Sequence, residues 1–140
     1  MIYFTTQIGP EWTKVLLGQQ IEAQVDGWIA EEADRLSDAQ QAQARRALDD
    51  FHAGLSRQWI TIQSTDDKVA GVFRYMLSFL VEFTEPGRNG DEHREALIRD
   101  AYGPGAVDQN VLAKLREEGE RLHPALHGLA HVIEQVAPGQ

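Results

Sequence analysis

The sequence predicts an all-α fold: a single-domain helical bundle of five or six helices, with a short extended N-terminal arm. Three observations lead there. Leu112, Leu115, Gly119, Leu122, Leu126, Leu129, Ile133 and Val136 are separated by alternating steps of three and four, which keeps one helical face apolar for about seven turns. Helix-start signals recur along the chain, at Gly9-Pro10, Ser37, Ser64, Asp91 and Asp108. Residues 1–8 form a strand-like segment that cannot make a sheet alone. At 140 residues the chain is long enough to bury roughly two thirds of the surface it exposes when unfolded, as one domain spanning 1–140.

The elements follow in order. Residues 1–8 (MIYFTTQI) are β-branched and aromatic and read as an extended arm that lies on the bundle or pairs with a second copy. Gly9-Pro10 opens a helix with proline at its first position, and Leu17, Ile21, Val25, Trp28, Ile29 and Leu36 then share one face. Glu31, Glu32 and Asp34 crowd its C-terminal end, where the helix dipole disfavours acids, so that end is expected to fray. Ser37 with Gln40 makes a capping box for the next helix, whose core face carries Ala44, Leu48, Phe51, Leu55, Trp59 and Ile62. The strand-formers Trp59-Ile60-Thr61-Ile62 make its last turn the weakest part.

Ser64 with Asp67 repeats the capping pattern before a third helix. Val69, Val72, Phe73, Met76, Leu77, Phe79, Leu80 and Phe83 make that helix apolar around more than half its circumference, which predicts the central position. Pro86-Gly87 ends it and Arg88-Asn89-Gly90 forms a loop. Asp91 caps a short helix through Leu97 and Ile98 that can extend to Tyr102, and Gly103-Pro104-Gly105 breaks the chain. Asp108 caps the final segment, 109–136, which carries Pro124 inside its stripe. It reads as one long or kinked helix, because the register continues across the proline.

Composition excludes several function classes. The chain has no cysteine, which removes disulfides, thiolate metal sites and cysteine nucleophiles. The formal charge of −9 is spread evenly over both halves, and Arg45-Arg46 is the sole adjacent basic pair. Direct nucleic-acid binding, which needs clustered Lys and Arg, is not expected. The apolar run Tyr75 to Val81 is far below the ~20 residues of a membrane span, and Ile2-Tyr3-Phe4 is too short for a secretory signal. The expected setting is cytoplasmic. There is no glycine-rich phosphate loop and no nucleophile elbow.

Two sets of residues stand out. His123, His127 and His131 recur every four residues with Glu120 close by, and imidazoles at this spacing can hold zinc or a similar ion. At about 100° per residue the three imidazoles lie about 80°, 120° and 160° from the stripe centre, so the row turns from the core boundary into solvent. A di-iron carboxylate site built from Glu120-x-x-His123, Asp49-x-x-His52, Glu22 and Glu82 fails the same test, because Asp49 and Glu82 fall about 125° and 140° from their core directions. An acidic magnesium cluster from Glu31, Glu32, Asp34, Glu92 and Glu95 shows no sign of convergence. The second set is apolar. Tyr3 and Phe4 beside an off-stripe Trp12, and Leu126, Leu129 and Ile133 on the C-terminal stripe, are candidate contacts for a partner, unless both are covered within one monomer.

The reading is a non-enzymatic, acidic helical protein without a cofactor, acting on a protein partner as an inhibitor, immunity factor, adaptor or regulator. A homodimer is the expected assembly. The alternative is a metal-binding bundle, enzymatic or not, that holds zinc or iron through Glu120, His123 and His127.

Overall fold

The computed structural model describes residues 1–87 and 90–138. The elements are β1 (Ile2–Gln7), α1 (Pro10–Gly18), α2 (Ile21–Glu31), a 3₁₀ turn (Ala33–Arg35), α3 (Asp38–Leu55), β2 (Trp59–Ser64), a single-turn α4 (Asp67–Ala70) running through a 3₁₀ turn (Gly71–Phe73) into α5 (Arg74–Phe83), then α6 (Asp91–Tyr102) and α7 (Gln109–Val136). The fold is mostly all-α, a helical bundle with an N-terminal arm. Of the predicted loop, Arg88 and Asn89 lie outside the described residues. No helix among the described residues is long and apolar enough to cross a membrane.

One hydrophobic cluster draws on every long helix and on both strands. It includes Trp12, Leu16, Val25, Leu48, Phe51, Ile60, Ile62, Phe73, Leu77, Ile98, Leu115 and Leu126. The segment from Val69 to Leu80 contributes Val69, Val72, Phe73, Met76, Leu77 and Leu80, each 1 % exposed or less, which makes it the central element as its all-round apolarity requires.

The arm does not wait for a second copy. β1 pairs antiparallel with β2 of its own chain, from Ile2 opposite Ser64 to Gln7 opposite Trp59. This corrects the reading of Trp59–Ile62 as a last helical turn. α3 ends at Leu55, and Gln58 takes a left-handed φ of 63°. The chain then turns into an alternating strand that buries Ile60 and Ile62 and leaves Trp59 in solvent at 42 % exposure. A period of two replaces the assumed period of 3.6, which moves Trp59 off the core face.

The first long helix is likewise two helices. Gln20 has φ 53°, and the break lets α1 pack on α6 and α7 while α2 packs on α3. Leu17, expected inside, is exposed on α1. Gly18 lets α1 approach α6 closely, since a Cβ there would stand 2.9 Å from the Ala101 Cα. The acidic end of α2 is anchored rather than frayed: Glu32 is 3 % exposed and pairs with Arg35 and Arg74.

Caps were legible in part. Ser37 and Gln40 form the reciprocal capping box, and Asp108 accepts from the Asn110 N–H. Before α4 the cap is Asp66, which accepts from the Lys68 and Val69 N–H groups, while the Ser64 hydroxyl braces Asp66 through its own backbone. Asp91 is the first residue inside α6 rather than its cap, which is Gly90. α7 runs unbroken from Gln109 to Val136 with Pro124 inside.

Candidate functional site: the groove between α5 and α7

An open groove of about 680 Å³ runs along α5 and α7. Ser78, Glu82 and Glu85 line it from the α5 side, His123, His127 and His131 from α7, with the partly buried Val81 and Ala130 also in its lining. α5 packs along α7, and Leu77, Leu80, Leu122, Leu126 and Ile133 of the two helices are buried in the shared core.

The Arg74 end of the groove is a charged knot. The Arg74 guanidinium pairs with Glu32, donates to the Ala137 carbonyl, and reaches Glu134 Oε1 at 3.2 Å through Nε. Tyr75 donates its hydroxyl to the same Glu32 carboxylate at 3.1 Å. Burial and this bond to an anion both push the Tyr75 hydroxyl upward, so it stays protonated and donating. The end of α2, the 3₁₀ turn, α5 and α7 meet at the Glu32–Arg74 pair, and none of this was visible as a motif. Glu32 looked like one member of a surface acidic run, and only packing shows that it is the buried one.

At the other end Thr84, 1 % exposed, orders the histidine row. Its hydroxyl donates to the Leu80 carbonyl at 2.6 Å. A hydroxyl carries one proton, so its 3.1 Å contact with His123 Nδ1 must run the other way, with His123 donating through Nδ1–H. His123 therefore presents Nε2 as its remaining ring nitrogen. The His127 ring lies with its centroid 5.9 Å from that of His123. His131 accepts from the Gln135 side-chain amide at 3.1 Å. His123 is half-buried, while His127 and His131 are exposed, the outward turn that the helical wheel predicts.

Glu120 does not join this row. It is exposed, and its charge acts on Arg116, one turn back along α7. Among the described residues, no group of three or more His, Asp or Glu side chains is placed to hold a metal ion. Of the residues nominated for a di-iron site, Glu82 and His123 line the same groove and His52 makes a long 3.9 Å contact with Glu22, but no three of the set come together among the described residues.

The apolar candidates are mostly used inside the chain. Leu126 and Ile133 are fully buried and Leu129 is 8 % exposed, because α5 and the segment preceding it cover the stripe. Trp12 is 1 % exposed, and its indole Nε1 donates to the Leu115 carbonyl at 2.7 Å. Phe4 is partly buried against the core, whereas Tyr3 is 62 % exposed. Tyr3, Phe4 and Trp12 therefore do not form one patch, since adjacent strand residues point to opposite faces.

Two further polar centres had no sequence signal. Arg94, 1 % exposed, ties the end of α5 to α6 by donating to the Phe83, Glu85 and Gly87 carbonyls and to Asp91. Asp91 also takes two bonds from Arg116 of α7, at 3.1 and 2.8 Å. The Arg116 bonds, joined by those of Arg94, hold the Asp91 carboxyl below its ordinary range. At the start of α1, Gly9 offers no side-chain cap, and Glu118 of α7 accepts from the Trp12 N–H at 3.3 Å instead. Burial pushes the Glu118 carboxyl upward despite that bond.

No protein-family model matches the chain, and no match is found among curated proteins or solved structures.

Proposed function

We propose that this chain is a non-enzymatic, cytoplasmic interaction module of the inhibitor, immunity, adaptor or regulator type, and that the α5–α7 groove receives a segment of a basic protein partner. The groove itself carries the reading: a wide, solvent-open trough with exposed carboxylates at Glu82 and Glu85 facing a row of imidazoles. In a chain of net charge −9 such an acidic wall attracts a cationic segment and speeds its encounter. Val81 and Ala130 supply apolar contact between the charged rims.

The test is a comparison of the wild type with Glu82→Lys/Glu85→Lys, first shown to be folded by circular dichroism. A protein captured by the wild type, once purified, should bind it in a salt-sensitive manner and lose at least about tenfold in affinity for the variant. Binding that is indifferent to the double substitution would sink the reading.

A second reading, binding of a divalent transition metal, is favoured by the Thr84–His123 contact. A hydrogen bond from the far ring nitrogen is how metal-binding imidazoles are commonly oriented, and His127 lies one turn along. Zinc suits an imidazole pair with water completing the shell. Untagged protein would retain near-stoichiometric zinc through dialysis, and His127→Ala would lose it. Metal-free protein that takes up no added zinc would overturn this reading.

A further inference from the structure

Among the described residues, the two-stranded sheet leaves β1 with one unpaired edge. β1 pairs with β2 alone in the sheet, and the ladder continues one step further through the Ile8 N–H to the Gln58 carbonyl at 2.9 Å. That bond identifies which backbone groups are used. In an antiparallel pair, alternate residues exchange bonds with the partner strand. Counting back from Ile8 in the register of β1 and β2, Ile2, Phe4 and Thr6 turn their N–H and C=O groups toward β2. Tyr3, Thr5 and Gln7 turn theirs away from it, along the outer edge.

Natural edge strands are usually blunted by a lysine, a proline, a bulge or a covering element. β1 itself lacks the first three: IYFTTQ is regular in register, lacks proline, and carries no charged side chain. The first ten residues are free of Asp, Glu, Lys and Arg in a chain of net charge −9. Two copies of so acidic a protein repel one another over most of their surfaces, and this neutral segment is where they can approach. The edge is also self-complementary. With Thr5 on a twofold axis, Tyr3 stands opposite Gln7 of the second copy and Thr5 opposite its own counterpart. All three outward-facing residues then exchange both of their backbone bonds.

We propose that β1 pairs antiparallel with β1 of a second copy, centred on Thr5, to make a continuous four-stranded sheet across a twofold dimer. The closed two-fold arrangement satisfies the edge on both subunits at once. This specifies one partner for the interaction-module reading at a surface separate from the groove, so either can fail without the other.

The test is native mass spectrometry and sedimentation of the untagged chain, with substitutions at Thr5. Thr5 is exposed and its N–H is not used by β2, so Thr5→Pro removes a donor from the outer edge alone. Thr5→Lys sets two like charges against each other across the axis while leaving the backbone intact. The wild type should run at twice its 15.7 kDa mass, and both variants should run as folded monomers. Because the chain has no cysteine, Thr5→Cys should give an oxidised dimer rapidly and Tyr3→Cys only slowly, which reads the register. A monomeric wild type at tens of micromolar, with an extended peptide of another protein left as the edge's occupant, would overturn the proposal. So would a dimer that persists in Thr5→Lys.

Discussion

Trp12 is seated on Gly119. Its indole nitrogen bonds the Leu115 carbonyl one turn earlier on α7, and a Cβ at Gly119 would stand 3.2 Å from that nitrogen and 3.4 Å from the Thr84 Cα. The glycine thus interrupts the leucine stripe to admit a tryptophan from α1 on one side and the end of α5 on the other. Gly119→Leu is expected to cost about 1–3 kcal/mol by overpacking against the rigid indole and the Thr84 backbone. Gly119→Ala should stay within about 1 kcal/mol of wild type, because improved helix propensity counters the tighter contact. Urea unfolding midpoints check both, and a leucine variant as stable as the alanine variant would refute the close approach.

Asp91 is the shared acceptor of Arg94 and Arg116. Asp91→Asn should cost about 3 kcal/mol at neutral pH, since Arg94 then keeps its backbone carbonyls but lacks a counter-charge while buried. The Arg116 bonds, with Arg94 adding to them, depress the carboxyl below its ordinary value of 3.8. A depressed carboxyl contributes stability that is complete above the unfolded value and disappears as pH falls through the lower folded one. The gap between wild type and Asp91→Asn should therefore be constant from pH 8 to 5 and close below about pH 4. A gap that stays open in acid would show that charge is not its source.

Glu118 carries the opposite sign. Burial raises its carboxyl above the ordinary value of 4.5, so the folded state favours the proton relative to the unfolded chain. That stabilisation is fully present below the unfolded value and is lost as pH rises through the folded one. Glu118→Gln retains an oxygen acceptor for the Trp12 N–H and drops the charge. It should equal or exceed wild type in stability at pH 8 and lose that advantage on acidification toward pH 4.5. Thermal melts across this range are the measurement, and a Glu118→Gln variant that is worse than wild type at pH 8 would contradict the assignment.

Leu126 and His127 are neighbours with opposite fates. Leu126 is fully buried, and Leu126→Asp should abolish cooperative unfolding or cost about 4 kcal/mol or more. His127 is exposed in the groove, and His127→Ala should stay within about 0.5 kcal/mol of wild type. Circular dichroism melts separate the two, and equal effects would mean that the helical face is misassigned.

The mostly helical class and the C-terminal helix were legible because their signals are local and repeated. A three-four apolar spacing determines which face of α7 is buried whatever covers it, and Ser37–Gln40 and Asp108 cap through neighbours three residues away or fewer. The outward turn of the histidine row is likewise a property of helical pitch alone. What covers the stripe, by contrast, depended on α5 folding against α7, and the break at Gln20 on two halves of one apolar run meeting different helices. Trp59–Ile62 carried strand-forming residues in the sequence, but their partner lay at residues 2–7, more than fifty positions away. The same distance hid the site chemistry. Glu32, Arg74, Thr84, His123, Arg94 and Glu118 are ordinary surface residue types that became buried or half-buried only when separate elements docked. Their environment, and with it the direction in which Asp91 and Glu118 titrate, arises from burial and from charges brought close by tertiary packing.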